Sequence, residues 1–178
     1  MERGKSREIL NSLTQEMVRF YQGDPNRIQH FIKVHSFAKL IGESEKLDAD
    51  TLFVLEAASI VHDIGIKPAE EKYGNCSGKL QEQEGPAFAE EMLQRLGFSE
   101  EVTARVSYLV GHHHTYTDVD GLDYRILLEA DFLVNLFEEY APKKTPREAV
   151  GAALSNIFRT KTGESICRVM FDVPDIKQ

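Results

Sequence analysis

Apolar residues recur along almost the whole chain at three- and four-residue intervals, the spacing that lays one stripe along an α-helix. No internal repeat or low-complexity tract interrupts this pattern. It predicts a first amphipathic helix over residues 6–22. Asp24-Pro25 then reads as an N-cap followed by proline at the first helical position, opening a second helix that runs to about Ile41 and stops at Gly42. Asp48 or Asp50 opens a third, in which only Glu56 and Ser59 break a run of Leu, Val, Ala and Ile. A helix so uniformly apolar is surrounded by protein on most sides.

From Gly65 to Pro86 the pattern breaks. The segment IKPAEEKYGNCSGKLQEQEGP carries Pro68, Gly74, Gly78, Gly85 and Pro86, and it predicts a long loop of the kind that serves as a lid or mobile segment. Helices resume over about 86–96, ending at Gly97, over 99–111 with Ser99 as cap, and over about 122–139. APKKTPREAV reads as a basic connector into a helix over 146–158, and the tail TKTGESICRVMFDVP fits either a helix or a short strand. The expected architecture is all-α: a single compact helical domain over 1–178, with a motif-bearing core at about 24–140 and a C-terminal helical extension at about 146–178.

Composition narrows the function. A chain of 178 residues with 42% hydrophobic and 28% charged residues matches a globular domain with a substantial core. No apolar run approaches the roughly 20 residues of a membrane span. The N-terminal MERGKSREILNSLTQEMVRF lacks an apolar signal core of about 7–15 residues, so a cytoplasmic protein without membrane attachment is expected. Cys76 and Cys167 have no zinc or redox spacing. The net charge of −8 disfavours non-specific nucleic-acid binding. A small anionic substrate would need local positive charge, which a metal ion can supply.

Candidate chemistry lies in the polar residues that interrupt apolar helices. In IVHDIGIK, His62 and Asp63 point about 100° apart on a helix, yet from the last turn both reach a point just beyond its end. They either cap the helix and bond the loop, or share a metal ion while Gly65 lets the chain turn away. Asp131 sits in YRILLEADFLVNLF, where a carboxylate requires a partner or a metal to offset desolvation. Glu129 falls on a different face and is expected at the solvent, and Asn135, one turn on, is expected to orient Asp131. His30 and His35 both flank the apolar face of their helix, and periodicity does not separate them. Of His112, His113 and His114, at least one is expected to face inward.

A histidine on one helix, a His-Asp pair ending another and an aspartate on a late helix resemble the HD-domain superfamily of metal-dependent phosphohydrolases. The resemblance runs from about Arg27 to Phe137, with His30, Val34 and Ala38 similar to the opening helix, IVHDIGIK to the signature turn and LLEADFLVN to the closing helix. It favours His30 over His35 and implies a metal shell of His30, His62, Asp63 and Asp131. Many two-metal relatives carry a further histidine where this chain reads KLQEQEGPAFAEEML. Gln81, Glu82 or Glu84 fills that place or it stays empty, which puts a second metal in doubt.

Two imidazoles and two carboxylates suit a divalent transition ion such as Mn, Fe, Co, Ni or Zn. The function expected is hydrolysis of a phosphate ester of a small molecule, a nucleotide first among them, by metal-activated water. In that reading Asp63 also accepts a proton, Lys67 neutralises the phosphate, and Glu84 and His113 serve as general acid or water-positioning groups. Arg125 and the segment 159–163 are further candidate phosphate contacts, and Tyr73 a candidate stacking face. The alternative is a catalytically reduced nucleotide-binding or regulatory module of the same type.

Overall fold

The most apolar segment of the chain becomes its central helix. In the computed structural model, which describes residues 3–141 and 143–174, there are nine α-helices and no strand among the described residues. The first five are α1 (Arg3–Phe20), α2 (Pro25–Ser44), α3 (Ala49–Val61), α4 (Ile66–Tyr73) and α5 (Gly78–Leu96). The remaining four are α6 (Glu100–Val110), α7 (Leu122–Glu138), α8 (Arg147–Asn156) and α9 (Lys161–Met170). The span expected for the domain, 1–178, includes residues 1, 2, 142 and 175–178, which lie outside the described residues.

Helix α3 packs against α1, α2, α6 and α7, and its residues from Leu55 to Val61 are all buried. Helices α2 and α7 pair with each other as well as with α3, α5 pairs with α6, and α8 and α9 lie against α7. Caps match the expected chemistry at three starts: Asp24 accepts from the Arg27 amide, Asp48 from Asp50 and Thr51, and Ser99 from Val102. Each such cap stabilises its helix by about 1 kcal/mol. Helix α2 passes Gly42 and ends two residues later, and the tail resolves to a helix, α9, capped by Thr160.

The long loop expected between Gly65 and Pro86 is instead two helices with a short connection. Helix α5 begins at Gly78 and carries Pro86 inside it. Its buried stripe is Gln81, Gly85, Ala89, Met92 and Leu93, so helical spacing is present but its first two members are not apolar. That is why hydrophobic periodicity missed this half of the helix. No described helix is long and apolar enough to cross a membrane.

Gly65 has an ordinary helical conformation, with φ −71° and ψ −15°. It is therefore needed for close approach and not for an unusual turn. A Cβ at this position would lie 2.4 Å from the Gln81 carbonyl oxygen and 2.9 Å from the Gly85 amide nitrogen. These are backbone atoms of a packed helix, which cannot swing aside. Gly65→Ala should therefore cost about 3 kcal/mol, the upper end of overpacking penalties. Urea denaturation reads this directly, and a variant within about 0.5 kcal/mol of wild type would show that the turn and α5 can separate.

Candidate metal centre

Two helices and two turns deliver polar side chains to one buried point. His30 belongs to the buried stripe of α2 with Val34 and Ala38. His62 and Asp63 occupy the turn between α3 and α4, where Ile64 and Ile66 donate to the carbonyls of Val61 and Asp63. His113 follows the last turn of α6, and Asp131 lies on the buried face of α7. Of these, His62 is 0% exposed, His113 1% and Asp131 5%.

The three imidazoles are anchored in the same way. His30 donates from Nδ1 to Glu138 Oε2 at 2.8 Å, His62 to the Ser59 carbonyl at 2.9 Å, and His113 to the Val110 carbonyl at 2.7 Å. A carbonyl oxygen can only accept, so in His62 and His113 the proton sits on Nδ1 and Nε2 carries the lone pair. The Glu138 carboxylate imposes the same tautomer on His30. Outer partners of this kind orient the histidines of metal sites.

The free nitrogens converge. His30 Nε2 lies 3.2 Å from Asp131 Oδ1, 3.3 Å from His62 Nε2 and 3.4 Å from Asp63 Oδ2. His62 Nε2 lies 3.4 Å from Asp63 Oδ2 and 3.5 Å from Asp131 Oδ1. His113 Nε2 is 3.4 Å from Asp63 Oδ1 and, among the described residues, has no hydrogen-bond partner. Two imidazole lone pairs 3.3 Å apart beside two carboxylates repel one another unless positive charge lies between them. Atoms bound to one ion at about 2.1 Å are about 3.0–3.4 Å from each other, close to the separations here. The donor set thus fits a divalent cation, and His30, His62 and Asp63 form a group able to hold one.

Electrostatics agree with this. Burial opposes charge on His62, but Asp63 and Asp131 outweigh it and hold its pKa well above the usual imidazole value. Burial likewise opposes the Asp63 carboxylate, yet the adjacent His62 holds it well below the usual range. The cluster therefore demands positive charge among its carboxylates, and without a cation protons supply it.

Several expected residues have other partners. Lys67 Nζ donates to the Phe20 carbonyl at 3.2 Å and sits over the Phe20 ring. Glu84 accepts from Lys72, Tyr73 and Gln83, which also occupies the Tyr73 hydroxyl. His35 pairs with Glu56, and His112 donates to the Tyr108 carbonyl and stacks on that ring. Asn135 is exposed and does not orient Asp131, because α7 turns it outward. Glu129, expected at the solvent, is fully buried. Arg125 and Arg159 donate to backbone carbonyls and line an open groove that no residue of the cluster borders.

Two supporting residues escaped the sequence reading. Glu138 lies two turns after Asp131 on the same face of α7, a spacing visible in the sequence, and it bridges His30 and Lys33. Tyr21 donates to the Asp63 carbonyl at 2.6 Å, for which local sequence offers no signal. Glu138→Ala should weaken metal binding about 10- to 100-fold, as loss of an outer partner does. Competition against a chelator measures this, and unchanged affinity would show that His30 keeps its orientation unaided.

The sequence model of the HD domain matches residues 27–152. The 1.45 Å crystal structure of a predicted HD superfamily hydrolase from an uncultured Thermotogales bacterium is similar, with TM-score 0.61 and 28% identity over 93% of this chain and 84% of that one. Curated proteins give no match. With its helical architecture, its His-Asp turn and a match across most of its length, the chain belongs to the HD domain family.

Proposed function

We propose that this protein is a metal-dependent phosphohydrolase that cleaves a phosphate ester of a small molecule, a nucleotide in particular. The observation that carries the reading is the set of anchored imidazoles whose free Nε2 atoms meet two buried carboxylates. In this reading His30, His62, Asp63 and Asp131 hold a divalent transition ion. Such an ion, when bound, polarises a phosphoryl oxygen and acidifies water.

The chain's own groups do the rest. Glu138 and the Ser59 carbonyl hold His30 and His62 with their lone pairs inward. His113 Nε2, buried and unpartnered beside Asp63, takes the proton of the attacking water and returns it to the leaving oxygen. Water, phosphate ester, phosphate and alcohol then balance with no further reagent. Tyr116, half exposed and edge-on to Phe132 at 5.4 Å, offers a flat face for a base. Burial and the nearby Asp131 and Glu82 carboxylates push its phenol pKa up. Lys67 and Glu84 would have to leave their present partners to meet the substrate.

The test is a panel of nucleotides, sugar phosphates and phosphodiesters assayed with added manganese, cobalt or nickel. Release well above an Asp63→Ala control is expected for at least one nucleotide. No release, with tight binding of one compound, would overturn the enzyme reading in favour of a binding module.

A further inference from the structure

Gln81 stands in the stretch where two-metal relatives carry a histidine, and its side chain is fully committed. Its Nε2 donates to the Cys76 carbonyl at 2.8 Å, and its Oε1 lies 3.2 Å from His114 Nε2. Because the Cys76 carbonyl can only accept, the amide nitrogen must face it, and the amide oxygen must face His114. That oxygen also can only accept, so the proton of His114 sits on Nε2. Its one remaining lone pair is then on Nδ1.

The ring itself is seated by packing. A Cβ at Gly78 would lie 2.7 Å from His114 Cγ and 2.9 Å from Cδ2, so the first turn of α5 lies directly against the imidazole. The backbone is held as well: the His114 amide and the Thr115 hydroxyl both donate to Glu82 Oε1 at 3.0 Å. Glu84 takes no part, being turned toward Lys72 and Tyr73.

A ligand atom of His114 lies within 4.8 Å of those of Asp63 and His113, so the tautomer matters at the centre. We infer that Gln81 is a positioning residue: it holds His114 as the neutral Nε2–H tautomer, an acceptor through Nδ1 alone, beside His113, whose tautomer is the reverse. His113 is anchored through Nδ1 to the Val110 carbonyl and keeps Nε2 free. The two adjacent imidazoles thus carry their lone pairs on opposite nitrogens, Nδ1 in His114 and Nε2 in His113, and the N–H of each is spent on a protein acceptor. The functional half of this inference rests on the hydrolase reading above, while the tautomer itself does not.

The experiment is nitrogen-15 NMR of the histidine rings in the full-length, metal-free protein, with His114 assigned by a His114→Gln variant. Wild type should show His114 protonated on Nε2 and His113 on Nδ1. Gln81→Leu should leave the His113 signals in place and release His114 to a mixture of tautomers. Gln81→Glu, which keeps the acceptor, should restore Nε2–H. Gly78→Ala moves the ring by sterics and should release it as Leu does, which covers the case of a poorly folded Gln81→Leu. Nδ1–H on wild-type His114, or a tautomer unchanged in Gln81→Leu or in Gly78→Ala, overturns the inference. If the panel finds a substrate, Gln81→Leu should lower kcat about tenfold at constant KM and Gln81→Glu should recover part of it; unchanged kcat would overturn the positioning role. A panel without turnover alongside the expected tautomers would sink the hydrolase reading and leave the Gln81–His114 assignment standing.

Discussion

Asp131→Ala is expected to purify without stoichiometric metal and to lose more than about 100-fold in metal affinity, since even outer partners cost 10- to 100-fold. The carboxylate is 5% exposed and lies 3.2 Å from His30 Nε2 and 3.5 Å from His62 Nε2. Removing it leaves two imidazole lone pairs facing each other with a carboxylate on one side only. Metal content by mass spectrometry reads the first effect. Thermal unfolding reads a second: metal at 100 times its Kd stabilises the folded chain by about 2.7 kcal/mol, a shift of about 5–10 °C for a domain of this size. Wild type should show that shift and Asp131→Ala should not. Equal metal content in both proteins would remove Asp131 from the site, whatever the assay panel finds.

Glu129→Ala is expected to be the most destabilising single change away from the metal centre, by about 3–5 kcal/mol. The side chain is 0% exposed. Its Oε1 accepts from the amides of Arg159 and Thr160 at 2.7 and 2.9 Å, and its Oε2 from the Thr160 hydroxyl at 2.5 Å. Truncation leaves the buried Thr160 amide and the partly buried Arg159 amide without an acceptor, at about 1–3 kcal/mol for a buried group, and opens a cavity beneath α9. Chemical denaturation measures the loss, and a change below about 1 kcal/mol would mean that water replaces the carboxylate at little cost. The pH dependence has a definite sign. Burial raises the Glu129 pKa against the pull of Thr160 and Arg159, so the folded state binds its proton more tightly than the unfolded chain. Its contribution is fully present below the ordinary glutamate range and declines as pH rises through that range toward the raised value. Glu129→Gln should remove that slope.

Glu129 also marks where reading by periodicity ends. Its place on α7 is legible, but the face it occupies is covered by residues 159 and 160, about thirty positions away. A wheel drawn on one helix sees the stripe that contacts the main core and misses a second stripe buried by a later segment. Asn135 fails for the converse reason: one turn from Asp131 is close along the helix, but its own direction carries it to the solvent. Helix α5 was half hidden because glycine and glutamine hold buried positions there. Close approach to Gly65 requires the first, and hydrogen bonding the second.

The amino-acid sequence by itself determined the helical class, three helix starts through their capping residues, and the positions of His62, Asp63 and Asp131 as polar groups in or ending apolar helices, while only the family resemblance separated His30 from His35. These follow from local chemistry, because a cap is made within four residues and a carboxylate in an apolar stripe signals its own need for a partner. Tertiary structure alone decided which nitrogen of each histidine faces the centre, that His113 turns inward while His112 stacks on Tyr108, and that Gln81 and not Glu84 meets His114. Each depends on an acceptor or a neighbouring helix brought in by packing, and the direction of a side chain is settled only when both partners of a contact are in place.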